Sequence, residues 1–133
     1  MLVVPRTYIT ANDQNSVSIK DFEKSDFISL SKETAFRSIM DYYCNSIGFN
    51  PSIIFESGNP GIVRGLVGAG LGVAFWPEIS WGKLNDDSVK ILHIKDINCR
   101  RTLYISSPEE KQLTKTAQLF HNFLLQFFSD FKK

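Results

Sequence analysis

Three short polar clusters carry most of the ligand-binding chemistry of this chain. They are Ser29-Leu30-Ser31-Lys32-Glu33-Thr34, Glu56-Ser57-Gly58-Asn59 and Phe75-Trp76-Pro77-Glu78. In the first, hydroxyls and backbone N–H groups at the start of a helix suit a carboxylate, and Lys32 would neutralise it. Ser29, Ser31 and Thr34 supply the hydroxyls, although from residue type alone ordinary helix capping is the better account of Ser31 and Thr34. In the second, Ser57 adds a hydroxyl, and Gly58 lets a ligand approach the backbone or simply serves a turn. In the third, Trp76 offers an apolar pocket wall or a place in the core. The expected ligand-binding residues are therefore Ser29, Ser31, Lys32, Thr34, Ser57, Gly58 and Trp76, with a small and anionic ligand.

Catalysis finds little footing. Glu33, Glu56 and Glu78 could be imagined as an acid/base group, but the sequence places no partner for them. Gly65, Gly68, Gly70 and Gly72 come at a helix end rather than opening a helix, so they do not form a phosphate loop. No serine stands in a nucleophile elbow. Cys44 and Cys99 are far apart and outside any CxxC spacing, which points to two reduced thiols, one in a helix and one in a loop. His93 and His121 are isolated from both cysteines and from each other, so no metal site is expected. No cofactor is expected either.

The elements that would position these clusters follow from the apolar spacing. Leu2-Val3-Val4 reads as a strand, and Asn12-Asp13-Gln14-Asn15-Ser16 as the centre of a surface loop. Val17 to Phe22 alternates briefly, and one helical turn is expected over 21–24. Phe27-Ile28-Ser29-Leu30 is a candidate strand, and Ser31 the expected cap of the helix after it. In that helix Phe36, Ile39, Met40, Tyr43 and Ile47 form one apolar face, while Arg37, Ser38, Asp41 and Asn45 point away. Gly48 and Pro51 end it.

A strand over 52–56 follows, then a helix capped by Asn59 with Pro60 at its first position. Gly70 sits where a helix-terminating residue takes a left-handed conformation. Residues 71–76 read as a short, central, parallel strand closed by Pro77. The order strand, helix, strand, helix, strand predicts parallel pairing through right-handed crossovers. In such sheets ligands collect beyond the carboxyl ends of the strands, where the three polar clusters lie. A helical turn over 78–82, two alternating strands over 89–94 and 101–106, and a terminal helix from Pro108-Glu109-Glu110 complete the chain. Leu113, Ala117, Phe120, Leu124, Phe127 and Phe131 line one side of that helix, and Phe123 and Phe128 widen the stripe.

A chain of 133 residues with net charge +1 supports one domain or two small lobes, and no global field draws nucleic acid or an anionic membrane to it. No apolar run approaches the ~20 residues that a bilayer needs. Met1-Leu2-Val3-Val4-Pro5 is too short for a signal-peptide core. A cytoplasmic location is expected.

The stretch Leu66-Val67-Gly68-Ala69-Gly70-Leu71-Gly72-Val73-Ala74-Phe75-Trp76-Pro77-Glu78 is similar to the "LVAAGLGVALLPE" of LysR-type transcriptional regulators. Val17-Ser18-Ile19-Lys20-Asp21-Phe22 with Phe27-Ile28 resembles that family's "vsl-dL" and "pfI" segment, and the region 123–128 resembles its closing helix. The resemblance covers most of the chain, from Leu2 to Phe128.

It implies an α/β, type II periplasmic-binding-protein-like fold in which a small effector sits between two lobes and alters how an oligomer bends promoter DNA. Residues 1–133 would be a partial effector-binding domain. About 17–83 would form the second lobe, with 1–5 and 84–133 as crossover strands and return to the first lobe. Members often carry His-Pro-Leu-Ala where this chain has Tyr8-Ile9-Thr10-Ala11. Cys44 and Cys99 do not match the paired cysteines of peroxide-sensing members.

The resemblance further implies that DNA contact belongs to a helix-turn-helix absent from this chain. The first half of the effector domain, with most of one pocket wall, is missing too, so small-molecule binding should be weak or absent. Exposed phenylalanines of the terminal helix would drive self-association. Two readings compete. One is a substrate-binding lobe of a transport protein or enzyme; the other is a small flavodoxin-like or receiver-type domain, which would want an acidic cluster or phosphate loop after Leu2-Val3-Val4.

Overall fold

A computed structural model describes residues 1–9, 15–107 and 113–129. The loop expected around Asn12-Asp13-Gln14, the helix start expected at Pro108-Glu109-Glu110, and Phe131 lie outside these residues. The chain divides into two compact units, Met1–Arg101 and Thr102–Lys133.

In the first unit the strands are β1 (Leu2–Pro5), β2 (Ser16–Val17), β3 (Asp26–Leu30), β4 (Ser52–Ser57), β5 (Ala74–Phe75) and β6 (Val89–Ile94). The helices are α1 (Ala35–Ser46), α2 (Pro60–Gly68) and the one-turn α3 (Glu78–Trp81). One sheet runs β2-β6-β1-β5, with β1 antiparallel to both its neighbours and β2 parallel to β6. β3 and β4 pair in parallel, from Asp26 opposite Ser52 to Leu30 opposite Ser57. A parallel bridge between Phe27 and Val73 links the two sheets, through N–H···O bonds of 2.9 Å in both directions. Segment 73–75 thus touches β3 at one end and β1 at the other.

The period-2 alternation of the strands sends neighbouring residues to opposite faces. Leu2, Val4, Phe27 and Phe75 pack on one face with Met40 and Cys44 of α1. Val3, Ile28, Ala74 and Trp76 pack on the other with Val63 and Val67 of α2. Helices on both faces of a mixed sheet give the expected α/β architecture, with parallel pairing at β2–β6, β3–β4 and the Phe27–Val73 bridge.

Four local expectations are corrected. Residues 71–76 are not all strand: only Ala74 and Phe75 are, and Leu71 is 51% exposed. The cause is how α2 stops. Gly70 has φ 82°, its N–H donates to the Val67 carbonyl, and the Leu71 N–H reaches back to the Leu66 carbonyl. That pair of bonds is a Schellman motif, and it commits Leu71 to the helix end.

The cap of α1 is Thr34, not Ser31: its Oγ1 accepts the Arg37 N–H at 3.3 Å. The helical turn near 21–24 falls instead at Ile19–Phe22 as a 3-10 turn, fixed by Ser18 and Asp21 in a reciprocal capping box. Residues 101–106 form no strand; Leu103, Tyr104 and Ile105 are exposed, and an alternating pattern becomes strand only where a ladder partner exists.

In the second unit α4 spans Lys115–Ser129. Thr114 caps it, taking the Ala117 N–H on Oγ1 and the Gln118 N–H on its carbonyl. The rings of Phe120, Phe123 and Phe127 stack successively along the helix at 6.4 and 5.8 Å. Phe120 and Phe123 are exposed.

Candidate functional site

Because β3 and β4 run in the same direction and end in register, their exits lie side by side. Each leads into a helix whose first turn is capped. Thr34 caps α1, and the Asn59 side chain accepts the Gly61 N–H at 2.8 Å at the start of α2, with Pro60 in the first turn where no N–H is needed. The Ser31 N–H donates to the Ser57 carbonyl at 3.2 Å, carrying the ladder one residue past the strands. The Ser31 carbonyl in turn accepts the Thr34 N–H and hydroxyl, at 2.9 and 2.8 Å.

This geometry gathers five of the seven expected residues. Ser31, Lys32 and Thr34 come from one exit, Ser57 and Gly58 from the other. The Ser31 hydroxyl lies 4.0 Å from where a side-chain carbon on Gly58 would stand, so the glycine leaves open space beside it. Ser57 turns its hydroxyl to the Asn59 N–H at 3.1 Å. Lys32 is exposed, and its N–H donates to Glu56 Oε2 at 3.2 Å.

The other two residues face elsewhere. Ser29 is 2% exposed and its hydroxyl points inward to Met40 Sδ at 3.7 Å. Trp76 is buried, donates Nε1–H to the Gly82 carbonyl at 3.1 Å, and meets the Trp81 ring edge-on at 4.9 Å. Trp76 also borders a cavity of ≈ 60 Å³ with Phe36, Met40, Tyr43 and Arg101.

Two residues at the exits were not anticipated as a pair. Arg37 was expected to point into solvent, yet its side chain is 12% exposed. Its Nε bonds both oxygens of Asp41, at 2.9 and 3.1 Å, and its Nη1 pairs with Glu56. The Arg37–Asp41 half follows from i,i+4 spacing on a helix. The Glu56 half comes from β4 and has no local signal.

Charge at the exits follows from these bonds. The Arg37 hydrogen bond holds the Glu56 carboxyl below its usual range, assisted by the Lys32 N–H. Burial works against the Arg37 charge, but the bonds from Asp41 and Glu56 outweigh it and raise its pKa.

Cys44 and Cys99 are both free. Burial pushes the first up to about 12 and the second to about 11, which keeps both protonated at neutral pH. Among the described residues no group of His, Cys, Asp or Glu could hold a metal ion, and no helix is long and apolar enough to cross a membrane.

Comparison with known proteins matches residues 1–129 to the model of the LysR substrate binding domain. The chain is 28% identical over 116 residues to the transcriptional dual regulator GltC of Bacillus subtilis (strain 168), covering 87% of this chain and 39% of that protein. It is 27% identical over 127 residues to a probable RuBisCO transcriptional regulator of Trieres chinensis, covering 92% of this chain and 41% of that one. The chain thus spans about two fifths of these relatives. Among solved structures, the effector binding domain of QuiR in complex with shikimate aligns over 97% of this chain and 60% of its own, with TM-score 0.80 and 20% identity. The regulatory domain of Synechocystis PCC6803 CcmR in complex with 2-PG aligns over 95% and 61%, with TM-score 0.79 and 17% identity.

Proposed function

The chain belongs to the LysR substrate binding domain family, and on that footing we propose that it is the ligand-sensing part of a transcriptional regulator. In this reading the exits of β3 and β4 form one side of an effector mouth, with residues 17–83 as one lobe and 1–5 and 84–133 leading to another. The side-by-side ends of two parallel strands, Leu30 against Ser57, carry the reading more than any other feature. They bring hydroxyls, backbone groups and a gap beside Gly58 to one place, where open α/β sheets bind ligands. QuiR and CcmR, which share the fold, hold shikimate and 2-PG.

The ligand proposed is a small organic acid. Ser31, Lys32, Thr34, Ser57 and Gly58 would meet it. Ser29 would act from behind by setting the position of α1 through Met40, and Trp76 by anchoring the third strand end. The role is sensing and not catalysis, in the cytoplasm. DNA would be contacted through a helix-turn-helix and not through residues 1–133. The transport or enzyme alternative draws no support from the relatives, which carry regulator names.

Self-association through α4 is part of the proposal. Leu119, Phe120 and Phe123 are 72%, 60% and 57% exposed, an apolar face that a second copy of this chain could cover. Sedimentation of a clean monomer at high concentration would count against it.

Thermal unfolding with a set of small organic acids tests the sensing role. At least one acid should raise the midpoint, and Gly58→Val, which fills the gap beside Ser31, should remove that rise while leaving the ligand-free midpoint in place. A rise that survives Gly58→Val would place binding elsewhere.

A further inference from the structure

The Glu56 carboxylate occupies the position that the acidic group of a ligand would take at these exits. One oxygen accepts the Lys32 N–H and the other pairs with the Arg37 guanidinium. A backbone amide and an arginine turned on one carboxylate form the donor set by which proteins hold carboxylates and phosphates. The two sides of this contact differ in freedom. Arg37 is nearly buried and tied to both oxygens of Asp41, so its guanidinium keeps its place without Glu56. The Glu56 side chain is 37% exposed at the end of β4 and can turn into water.

We infer that Glu56 is an internal occupant of an anion subsite formed by the Lys32 N–H and Arg37, and that an incoming carboxylate or phosphate binds by displacing it. The inference rests on the placing of the effector mouth at the ends of β3 and β4. The charges support the exchange. Lys32 and Arg37 balance Asp41 and Glu56 while Glu56 is seated. Once it turns out, the remaining three groups leave one positive charge for the ligand. A neutral ligand gains nothing by displacing a carboxylate, so the seated Glu56 selects for acids. The bond from Arg37 that lowers the Glu56 pKa also holds the charged carboxylate in place at neutral pH.

Inorganic phosphate at constant ionic strength is the probe, followed by the NMR signals of the Lys32 amide and the Arg37 Nε–H in the full chain. Glu56→Ala should bind phosphate about tenfold or more tightly than the unsubstituted chain, with both signals moving together. Glu56→Gln, which keeps the size and loses the charge, should fall between and serves if the alanine variant does not fold. Glu33→Ala removes the same charge from the neighbouring exposed position and should leave phosphate affinity unchanged. Equal affinity in Glu56→Ala and the unsubstituted chain overturns the inference, as does an equal gain in Glu33→Ala, which would show general charge alone. Phosphate binding to Glu56→Ala that no organic acid competes for would support the subsite and break the sensing role. Organic acids bound to the unsubstituted chain with the Lys32 and Arg37 signals unmoved would do the reverse.

Discussion

Gly72 and the carbonyl of Asp26 are so close that a side-chain carbon on Gly72 would stand 2.5 Å from the oxygen. The Val73 N–H donates to that same carbonyl, and the contact ties segment 73–75 to β3. Backbone on the opposite side cannot give way as a flexible side chain could. Gly72→Ala should therefore cost about 1–3 kcal/mol, read from the urea midpoint at unchanged slope. A midpoint within error of the unsubstituted chain would mean that the bridge is loose.

Thr34 both caps α1 and fixes the turn from β3. Thr34→Ala loses the bond to the Arg37 N–H and the bond to the Ser31 carbonyl. A loss of about 1 kcal/mol in urea unfolding is expected, and Thr34→Ser should recover most of it. If serine does no better than alanine, the hydroxyl is not the reason for the threonine.

Stability should fall in acid. Glu56 is held below its usual range by Arg37, and Asp86 by the Ser88 hydroxyl and N–H. For Asp96 burial acts the other way, but the Ser18 hydroxyl and Ile19 N–H outweigh it. The unfolded chain, with carboxylates titrating near pH ~4, then binds more protons than the folded chain as acid is added. Their contribution is fully present above that range and is lost as pH falls through the lowered folded values. Urea midpoints between neutral pH and pH ~3 should decline on the acid side, more gently in Glu56→Gln. Equal slopes in the two proteins would show Glu56 to be unpaired.

The thiols should be quiet. With Cys44 near 12 and Cys99 near 11, a disulfide reagent at pH ~8 should label the folded chain about two orders of magnitude more slowly than the urea-unfolded chain. Comparable rates would mean that Cys99 opens readily to water.

What could be read from the sequence was what local spacing determines. Leu2, Val3 and Val4 alternate between two cores as a strand with helices on both faces must, and Gly70 and Asn59 mark helix ends by chemistry that acts within a few residues. Residues 101–106 alternate as convincingly as Val89–Ile94, but only the latter has partners, β1 and β2, which no local pattern reveals. Leu71 looked like strand because its hydrophobicity was visible and its bond to Leu66 was not. At the exits, Ser31, Thr34 and Gly58 were recognisable by residue type. Arg37 was not, because the partner that turns it inward, Glu56, lies a strand away. Trp76 was placed at the right strand end, but the direction of its ring depended on Trp81 and Gly82.

The most direct test of the mouth is a map of backbone amide shifts while the chain is titrated with shikimate and, separately, benzoate. Saturable shifts should be largest at residues 31–34 and 56–58 for at least one of the two acids. Shifts confined to other parts of the chain, such as the polar groove between Arg6 and Asp86 to His93, would contradict the account.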